Sequence, residues 1–193
     1  GFGPRRIYLV GGMVGVRMVS TVQAYDPALD SWCEVSSMAT KRCRHGAVAL
    51  GGKLYAMGGL SDNRDTLAHA EVYDPQADGW QLLPSMPTAR QFLAAAAVAG
   101  KVYAIGGEDE DGNFCDAVEA YDPLSGAWTR MASLSVARAH HTATVVEGKI
   151  YLVGGEIDEH PDNADDDEEE ADTIITGSVD VYDPVADSWQ QMA

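Results

Sequence analysis

Residues 90–128 read RQFLAAAAVAGKVYAIGGEDEDGNFCDAVEAYDPLSGAW, and this stretch decides the fold because the rest of the chain repeats it. Each copy contains a Gly-Gly pair, then a Tyr-Asp-Pro triplet, then a Trp seven residues after that Tyr. The Gly-Gly pairs begin at Gly11, Gly58, Gly106 and Gly154, the triplets at Tyr25, Tyr73, Tyr121 and Tyr182. The Trp residues are Trp32, Trp80, Trp128 and Trp189. A period near 50 residues indicates propeller blades rather than one irregular fold.

The quoted stretch contains four strand signals separated by turn signals. The predicted strands are residues 92–99, 102–105, 117–121 and a short run around Trp128. Gly100-Lys101 predicts a two-residue hairpin turn, and Asp122-Pro123 predicts the turn into the last strand, because Pro pre-sets the backbone dihedral that such a turn needs. Four short strands of this kind form a meander, and radial repetition of such sheets forms a β-propeller.

The residues that carry these signals also carry a resemblance to a known family. The pattern Arg90…Gly100-Lys101-Val102-Tyr103-Ala104-Ile105-Gly106-Gly107…Glu119-Ala120-Tyr121-Asp122-Pro123…Trp128 is similar to the Kelch repeat from end to end. The resemblance implies an all-β, Kelch-type β-propeller over residues 1–193. The four repeats are 7–38, 39–86, 87–134 and 135–193. The first begins at its second strand, so we expect three complete blades, one blade without its first strand, and a partial propeller that self-associates through open blade edges.

Strand order determines which loops share a face of the propeller. The loops after the second strands are long and variable, and they span residues 13–19, 60–69, 108–116 and 156–177. The opposite side carries the tight Gly-Lys and Asp-Pro turns. Binding residues collect in the long loops of a rigid scaffold. We therefore expect partners on the face that carries these four loops, called the long-loop face below.

One charged position repeats at this face. Arg42, Arg90 and Arg138 each lie 13 residues before the Tyr of a second strand. A ring of guanidinium groups can bind carboxylates or phosphates bidentately, and the resemblance to substrate-adaptor Kelch proteins implies contact with an acidic peptide. The alternative is a scaffold role, in which each Arg bonds carbonyls or acids of the adjacent blade. The sequence does not distinguish the partner-binding hypothesis from the scaffold hypothesis.

Four further residues are candidates for partner contact. Arg44 and His45 add basic character around the second repeat, His140 lies in the matching stretch of the fourth, and Phe114 is an aromatic at the tip of loop 108–116. His140 and His141 are adjacent on a predicted strand, so they point to opposite faces and cannot bind one ion. We find no metal-ligand spacing and no acid–base pair, and we expect no cofactor.

Charge and length limit the classes of partner. The formal net charge is −17, but the eleven acids of residues 156–172 account for most of it, and the remaining 19 acids and 13 bases leave −6. Nucleic acid is not an expected partner, because phosphate binding needs a basic face. Apolar runs such as Leu93–Ala99 are too short to cross a bilayer. The three Cys residues follow no pattern, which indicates reduced thiols and a cytoplasmic protein.

The fourth repeat carries a 13-residue insertion relative to the second and third, in the acidic run at residues 158–172. Such a run is typically solvated and disordered because its charges repel one another. The other hypothesis is that it folds over the long-loop face and competes for the arginines as a built-in pseudo-substrate.

The sequence favours a non-catalytic protein–protein interaction module that binds a partner segment, acidic in the preferred version, on the long-loop face. The resemblance to BTB–Kelch proteins implies the substrate-recognition part of a cullin-type ubiquitin ligase adaptor, with the cullin components bound through other domains. A related alternative is actin or cytoskeleton binding. The alternative from a different class is a Kelch enzyme similar to sugar-acid epimerases, for which arginines near the channel would be needed.

Overall fold

The structure is a computed structural model, and it describes residues 6–158 and 173–192, so most of the acidic insertion lies outside it. Every regular element of the described residues is a β-strand. Blade 1 is a three-stranded sheet of β1 (Ile7–Val10), β4 (Val22–Asp26) and β5 (Ser31–Val35). The predicted all-β architecture is confirmed, as is the incomplete first blade. No helix in the described part of the chain is long and apolar enough to span a membrane.

The other three blades are four-stranded antiparallel sheets in chain order. Blade 2 consists of β6 (Gly46–Leu50), β7 (Lys53–Met57), β8 (Ala70–Asp74) and β9 (Gly79–Leu83). Blade 3 consists of β10 (Ala94–Val98), β11 (Lys101–Ile105), β12 (Val118–Asp122) and β13 (Ala127–Arg130). Blade 4 consists of β14 (Thr142–Val146), β15 (Lys149–Val153), β18 (Val179–Asp183) and β19 (Ser188–Gln191).

Two small hairpins extend from the long-loop face. In blade 1, β2 (Met13–Val14) pairs with β3 (Arg17–Met18). In blade 4, β16 (Glu156–Asp158) pairs with β17 (Thr173–Ile175). Both hairpins follow the second strand of their blade, which is where the long loops were predicted.

The hairpin turn of blade 3 lies one residue earlier than predicted. Val98 pairs with Lys101, so the two turn residues are Ala99 and Gly100, with φ of 51° and 76°. Two positive φ values are the geometry of a type I′ turn, which matches the twist of the flanking strands. The first strand also begins later than predicted, at Ala94 rather than Phe92, because Phe92 has a φ of 53° and cannot continue an extended strand.

The core lies between successive blades. Each Tyr of a Tyr-Asp-Pro triplet packs on the Trp seven residues later, with ring centroids 5.0–5.4 Å apart in all four blades. Val102 and Ala104 of blade 3 are buried against the second blade, and Ile150 and Leu152 of blade 4 are buried against the third. Because each sheet covers the next, the blades stabilise one another as repeat units do.

The Gly-Gly pairs set how closely the blades approach. Gly106 has a φ of +57°, and a Cβ on it would lie 2.6 Å from the carbonyl oxygen of Arg138 and 2.6 Å from Cε1 of His141. Gly58 and Gly11 are equivalent, since a Cβ would lie 2.6 Å from Arg90 O and 2.7 Å from Arg42 O. In blades 1 to 3 the first Gly of the pair is therefore required both by its left-handed backbone and by contact with the segment that leads into the next blade.

A pair of Gly→Ala substitutions separates these two requirements. Gly112 has a φ of +85°, but a Cβ added to it would meet nothing within 4 Å. Gly112→Ala should lower the free energy of unfolding by about 1–2 kcal/mol, the cost of a left-handed L-residue. Gly106→Ala should lower it by roughly a further 1–3 kcal/mol because of overpacking. Chemical denaturation measures both values, and equal losses would contradict a close-contact role for Gly106.

Candidate functional site

The three predicted arginines point into their own blades. Arg42 donates from Nη1 to the carbonyl oxygens of Gly58 (2.7 Å) and His69 (3.0 Å), and from Nη2 to the Glu71 carboxylate (2.8 Å). Gly58 ends the second strand and Glu71 lies on the third, so one guanidinium holds two strands and their connecting loop together. We call this arrangement the arginine clamp.

The clamp repeats in blades 3 and 4 with small changes. Arg90 bonds the carbonyls of Gly106 and Ala117 and the carboxylate of Glu119. Arg138 bonds Gly154 O (3.3 Å) and Ser178 Oγ (3.0 Å), and its Nη2 lies 2.8 Å from Asp180 Oδ2. Burial lowers the pKa of Arg42 and Arg90, and the paired glutamates act in the opposite direction.

The clamp leaves none of its own three arginines accessible to a partner. Arg42 and Arg90 are 0% exposed and Arg138 is 2% exposed. The expectation of an accessible guanidinium ring therefore has to be corrected in favour of the scaffold alternative. The physical reason is that carbonyl, hydroxyl and carboxylate oxygens of the same blade already bond the Nη groups of each guanidinium, while each Nε is buried without a partner among the described residues. The accessible residues lie two positions further along the chain.

Arg44, Phe92 and His140 occupy that position in blades 2, 3 and 4, 48 residues apart, and form a continuous stack. The Arg44 Cζ lies 4.4 Å from the centre of the Phe92 ring, and the Phe92 and His140 ring centroids are 3.8 Å apart. The backbones follow the same order, since Phe92 N–H donates to Arg44 O (2.8 Å) and His140 N–H donates to Phe92 O (3.2 Å). This set is called the stack below.

All three residues of the stack have left-handed backbone, with φ of 55°, 53° and 57°. For L-residues other than Gly this conformation costs about 1–2 kcal/mol each. Strained residues of this kind concentrate at functional sites. Arg44 and His140 are exposed and Phe92 is half-buried, so the conformation presents the stack at the long-loop face. The stack is the candidate functional site.

The two ends of the stack differ in charge. At one end, Arg44 Nη1 donates to Gln91 Oε1 (3.0 Å) and otherwise extends into solvent. At the other end, His140 Nε2 lies 3.2 Å from Glu108 Oε1 and 3.9 Å from Glu156 Oε2. A ligand across the stack would thus meet a cation on blade 2 and carboxylates on blades 3 and 4.

The loops around the stack show the same difference in charge between blades 1 and 2 and blades 3 and 4. The exposed cations Arg17, Lys41 and Arg64 belong to blades 1 and 2, where Lys41 lies 3.0 Å from Asp62 and holds the pKa of that carboxyl below its usual value. The acids of blades 3 and 4 on this face are Glu108, Asp109, Glu110, Asp111, Asp116, Glu156 and Asp158. On the side of blades 1 and 2, Asp62 and Asp65 offset part of the positive charge. The described long-loop face is therefore weakly cationic on one side and strongly anionic on the other.

The sequence predicted Phe114 at the tip of loop 108–116, and the structure places it elsewhere. It is half-buried and its backbone bridges back to Glu108, while the tip is formed by Asp111, Gly112 and Asn113. The Asp109 carboxylate accepts the backbone N–H groups of Asp111 (3.0 Å) and Asn113 (2.9 Å), so it stabilises its own loop. Among residues 6–158 and 173–192, no group of three His, Cys, Asp or Glu residues could hold a metal ion.

His45 and His141 occupy the position after the stack and turn inward. His141 donates from Nε2 to Ile105 O (3.1 Å), and the Nδ1 atoms of both histidines are buried without a hydrogen-bond partner in the described residues. Burial lowers both pKa values to about 4, and the adjacent Arg42 and Arg138 act in the same direction. His45 is thus a neutral packing residue, whereas the sequence analysis predicted that it contacts a partner. Leu93 fills the equivalent site of blade 3.

The sequence predicted only part of the stack. Arg44 and His140 were selected as partner-contact candidates, whereas Phe92 was assigned to a strand. A sequence signal for Phe92 was nevertheless present. Arg44, Phe92 and His140 each follow a repeating arginine by two residues, and all three side chains have a planar group that can stack.

The clamp predicts a contrast between neighbouring arginines. Arg90→Gln should lower the free energy of unfolding by about 3–5 kcal/mol, because Glu119 is left as an uncompensated buried charge. Arg44→Gln removes an exposed cation and should change it by less than about 1 kcal/mol. Urea denaturation provides both numbers. Similar losses for the two variants would contradict the division between clamp and stack.

The buried histidines predict acid sensitivity. Their pKa values are lower in the folded state (about 4) than the ordinary 6.5, so their contribution is fully present above about pH 6.5 and is lost as the pH falls towards 4. The slope is at most about 1.4 kcal/mol per pH unit for each histidine. The double variant His45→Leu, His141→Leu, which copies the Leu93 position of blade 3, should flatten the stability profile in this window. An unchanged slope would contradict the assignment.

Comparison with known proteins places this geometry in a family. The model of the KLHDC2/KLHL20/DRC7 Kelch-repeats domain matches residues 3–193. An F-box/kelch-repeat protein of Arabidopsis thaliana is 40% identical over 62 residues, which are 32% of this chain and 13% of that protein. Kelch-like protein 3 of Danio rerio is 36% identical over 58 residues, 30% of this chain and 10% of that protein. Kelch-like protein 7 of Rattus norvegicus is 40% identical over 50 residues, 26% of this chain and 8% of that protein.

The chain thus spans 8–13% of the length of these relatives. Among solved structures, that of YjhT superposes with a TM-score of 0.81 at 16% identity, over 97% of this chain and 67% of that one. An identity this low supports the fold and not a shared activity. The repeats, the four blades and the family model agree, and the chain belongs to the Kelch-repeat family.

Proposed function

We propose that this chain is a non-catalytic protein-interaction module that holds a partner segment on the long-loop face, across Arg44, Phe92 and His140. The observation that carries the proposal is that three side chains from three blades stack in left-handed backbone and remain accessible. Left-handed backbone that carries accessible side chains is typical of functional sites.

The chemistry of the stack supports a particular orientation of the partner. An acidic side chain fits beside Arg44, which is an exposed cation on the side of the face that also carries Arg17 and Arg64. An apolar or aromatic side chain fits on Phe92. Glu108 and Glu156 beside His140 favour a basic or neutral side chain at the other end. The acidic partner segment expected from the sequence therefore fits only the half of the site that contains Arg44.

The finer proposal is the substrate-recognition part of a cullin-type ubiquitin ligase adaptor. It rests on the resemblance to BTB–Kelch proteins and on the F-box/kelch-repeat and Kelch-like relatives. In such an adaptor, ubiquitin transfer to the bound protein would depend on the same stack.

The enzymatic alternative was favoured by arginines near the channel, and these arginines are buried in the structure. A sugar-acid epimerase-like site would use arginines near the channel, and Arg42, Arg90 and Arg138 are enclosed by carbonyls and carboxylates of their own blades. This placement supports an interaction module over an enzyme with those residues in its active site.

A displayed library of short peptides tests the proposal on the chain itself. Peptides selected on the wild-type chain should lose at least about tenfold in affinity, roughly 1.4 kcal/mol, on Arg44→Gln and on Phe92→Asn. Asn tolerates left-handed backbone, so Phe92→Asn should remove the ring with little loss of stability. Affinity is measured by isothermal titration calorimetry and stability by thermal unfolding.

Lys101→Gln is the matched control, because it removes a cation from the start of β11, next to the hairpin turn on the opposite face. It should bind selected peptides as the wild type does. The proposal is wrong if the peptides bind the two stack variants normally, or if no peptide binds more tightly than about 1 mM.

A further inference from the structure

The residues that directly precede the stack share one backbone arrangement in blades 2 to 4. Each forms a short antiparallel bridge with the residue that follows the Gly-Gly pair of its own blade. The pairs are Cys43 with Leu60, Gln91 with Glu108 and Ala139 with Glu156. The backbone is therefore common to the three blades, and the difference lies in the side chains. Blade 3, which supplies the central residue of the stack, has two polar side chains in its pair.

Gln91 bonds to both of its charged neighbours. Its Oε1 accepts from Arg44 Nη1 (3.0 Å), and its Nε2 donates to Glu108 Oε2 over a longer distance of 3.5 Å. A guanidinium only donates hydrogen bonds, and an ionised carboxylate only accepts them. The Gln91 amide therefore has one orientation that satisfies both neighbours, with its oxygen towards Arg44 and its nitrogen towards Glu108.

Glu108 continues this series of bonds to the other end of the stack. Its side chain is 15% exposed, and its second oxygen, Oε1, lies 3.2 Å from His140 Nε2. The side chains of Arg44, Gln91, Glu108 and His140 thus form a polar chain that connects the cationic end of the stack to the anionic end. Hydrogen bonds linked in this way polarise and strengthen one another.

We infer that Gln91 is a positioning residue of the stack, and that its amide couples the Arg44 end to the His140 end. Arg44 is exposed and has several rotatable bonds, and ordering such a side chain when a partner binds lowers the affinity. The bond from Gln91 holds the guanidinium over the Phe92 ring, with Cζ 4.4 Å from its centre, before a partner binds. The effect on affinity rests on the proposed function, whereas the position of Arg44 does not.

The variant Gln91→Met tests the positioning of Arg44 without a partner. Met has nearly the same length as Gln, but its thioether is a weak acceptor and has no N–H. Protons above an aromatic ring are shifted upfield in NMR spectra, so the Arg44 side-chain signals report the contact with Phe92. Gln91→Met should lose most of this upfield shift. Gln91→Glu still accepts from Arg44 and should retain it.

The same spectra test the coupling to the other end of the stack. Gln91→Met removes the donor to Glu108, and Gln91→Glu places a second carboxylate against it, so both variants should move the imidazole signals of His140. Gln76→Met is the matched control, because Gln76 is exposed in a turn on the opposite face, and it should move neither set of signals. Thermal unfolding verifies that the variants are folded. Unchanged Arg44 signals in Gln91→Met overturn the positioning role, and unchanged His140 signals overturn the coupling.

Peptides selected on the wild-type chain measure the effect on binding. They should lose about three- to tenfold in affinity on Gln91→Met, as measured by isothermal titration calorimetry. On an Arg44→Gln background the same substitution should cause no further loss, because the side chain that Gln91 positions has been removed. Equal losses on the two backgrounds overturn the positioning role. If no peptide binds, the proposed function is wrong, and the NMR signals still decide the role of Gln91.

Discussion

The arginine clamp is the interaction on which the rest of the structure depends. Its guanidinium joins the second and third strands of one blade, while its backbone carbonyl accepts an N–H from the preceding blade. Those backbone bonds are Gly12 to Arg42 (2.8 Å), Gly59 to Arg90 (2.8 Å) and Gly107 to Arg138 (2.9 Å). A buried ion pair is stabilising only when its remaining donors and acceptors are satisfied. Here the carbonyls at the strand ends provide most of those partners.

The stack depends on the clamp because the clamp restrains the chain two residues earlier. Glu71 also accepts the N–H groups of Ala39 and Thr40, so the segment that leads into blade 2 is held just before Arg42 as well as at Arg42 itself. A chain restrained in this way can carry left-handed backbone at Arg44 that an unsupported loop would relax. Scaffold and candidate site are therefore neighbours in sequence with different roles, which explains why charge alone selected the enclosed arginines together with the exposed Arg44.

The blade interfaces add a second regular contact between repeats. The indole N–H groups of Trp80, Trp128 and Trp189 donate to Ser36 O, Pro84 O and Ala132 O, and these bonds connect each of blades 2 to 4 to the blade before it. Repeat proteins are stabilised by nearest-neighbour interfaces of this kind.

The sequence by itself determined the architecture, because Gly-Gly, Tyr-Asp-Pro and Trp act through local backbone geometry and packing within the repeat. It also placed Arg44 and His140 at the correct face, since strand order alone assigns loops to faces. Only the tertiary structure decided which arginine is enclosed. Arg42 and Arg44 are two residues apart and chemically identical, and their difference arises from Gly58, His69 and Glu71, which lie 16 to 29 residues away in the chain. Burial of a charge depends on such distant partners, so the pattern of the repeat could reveal the position but not its environment.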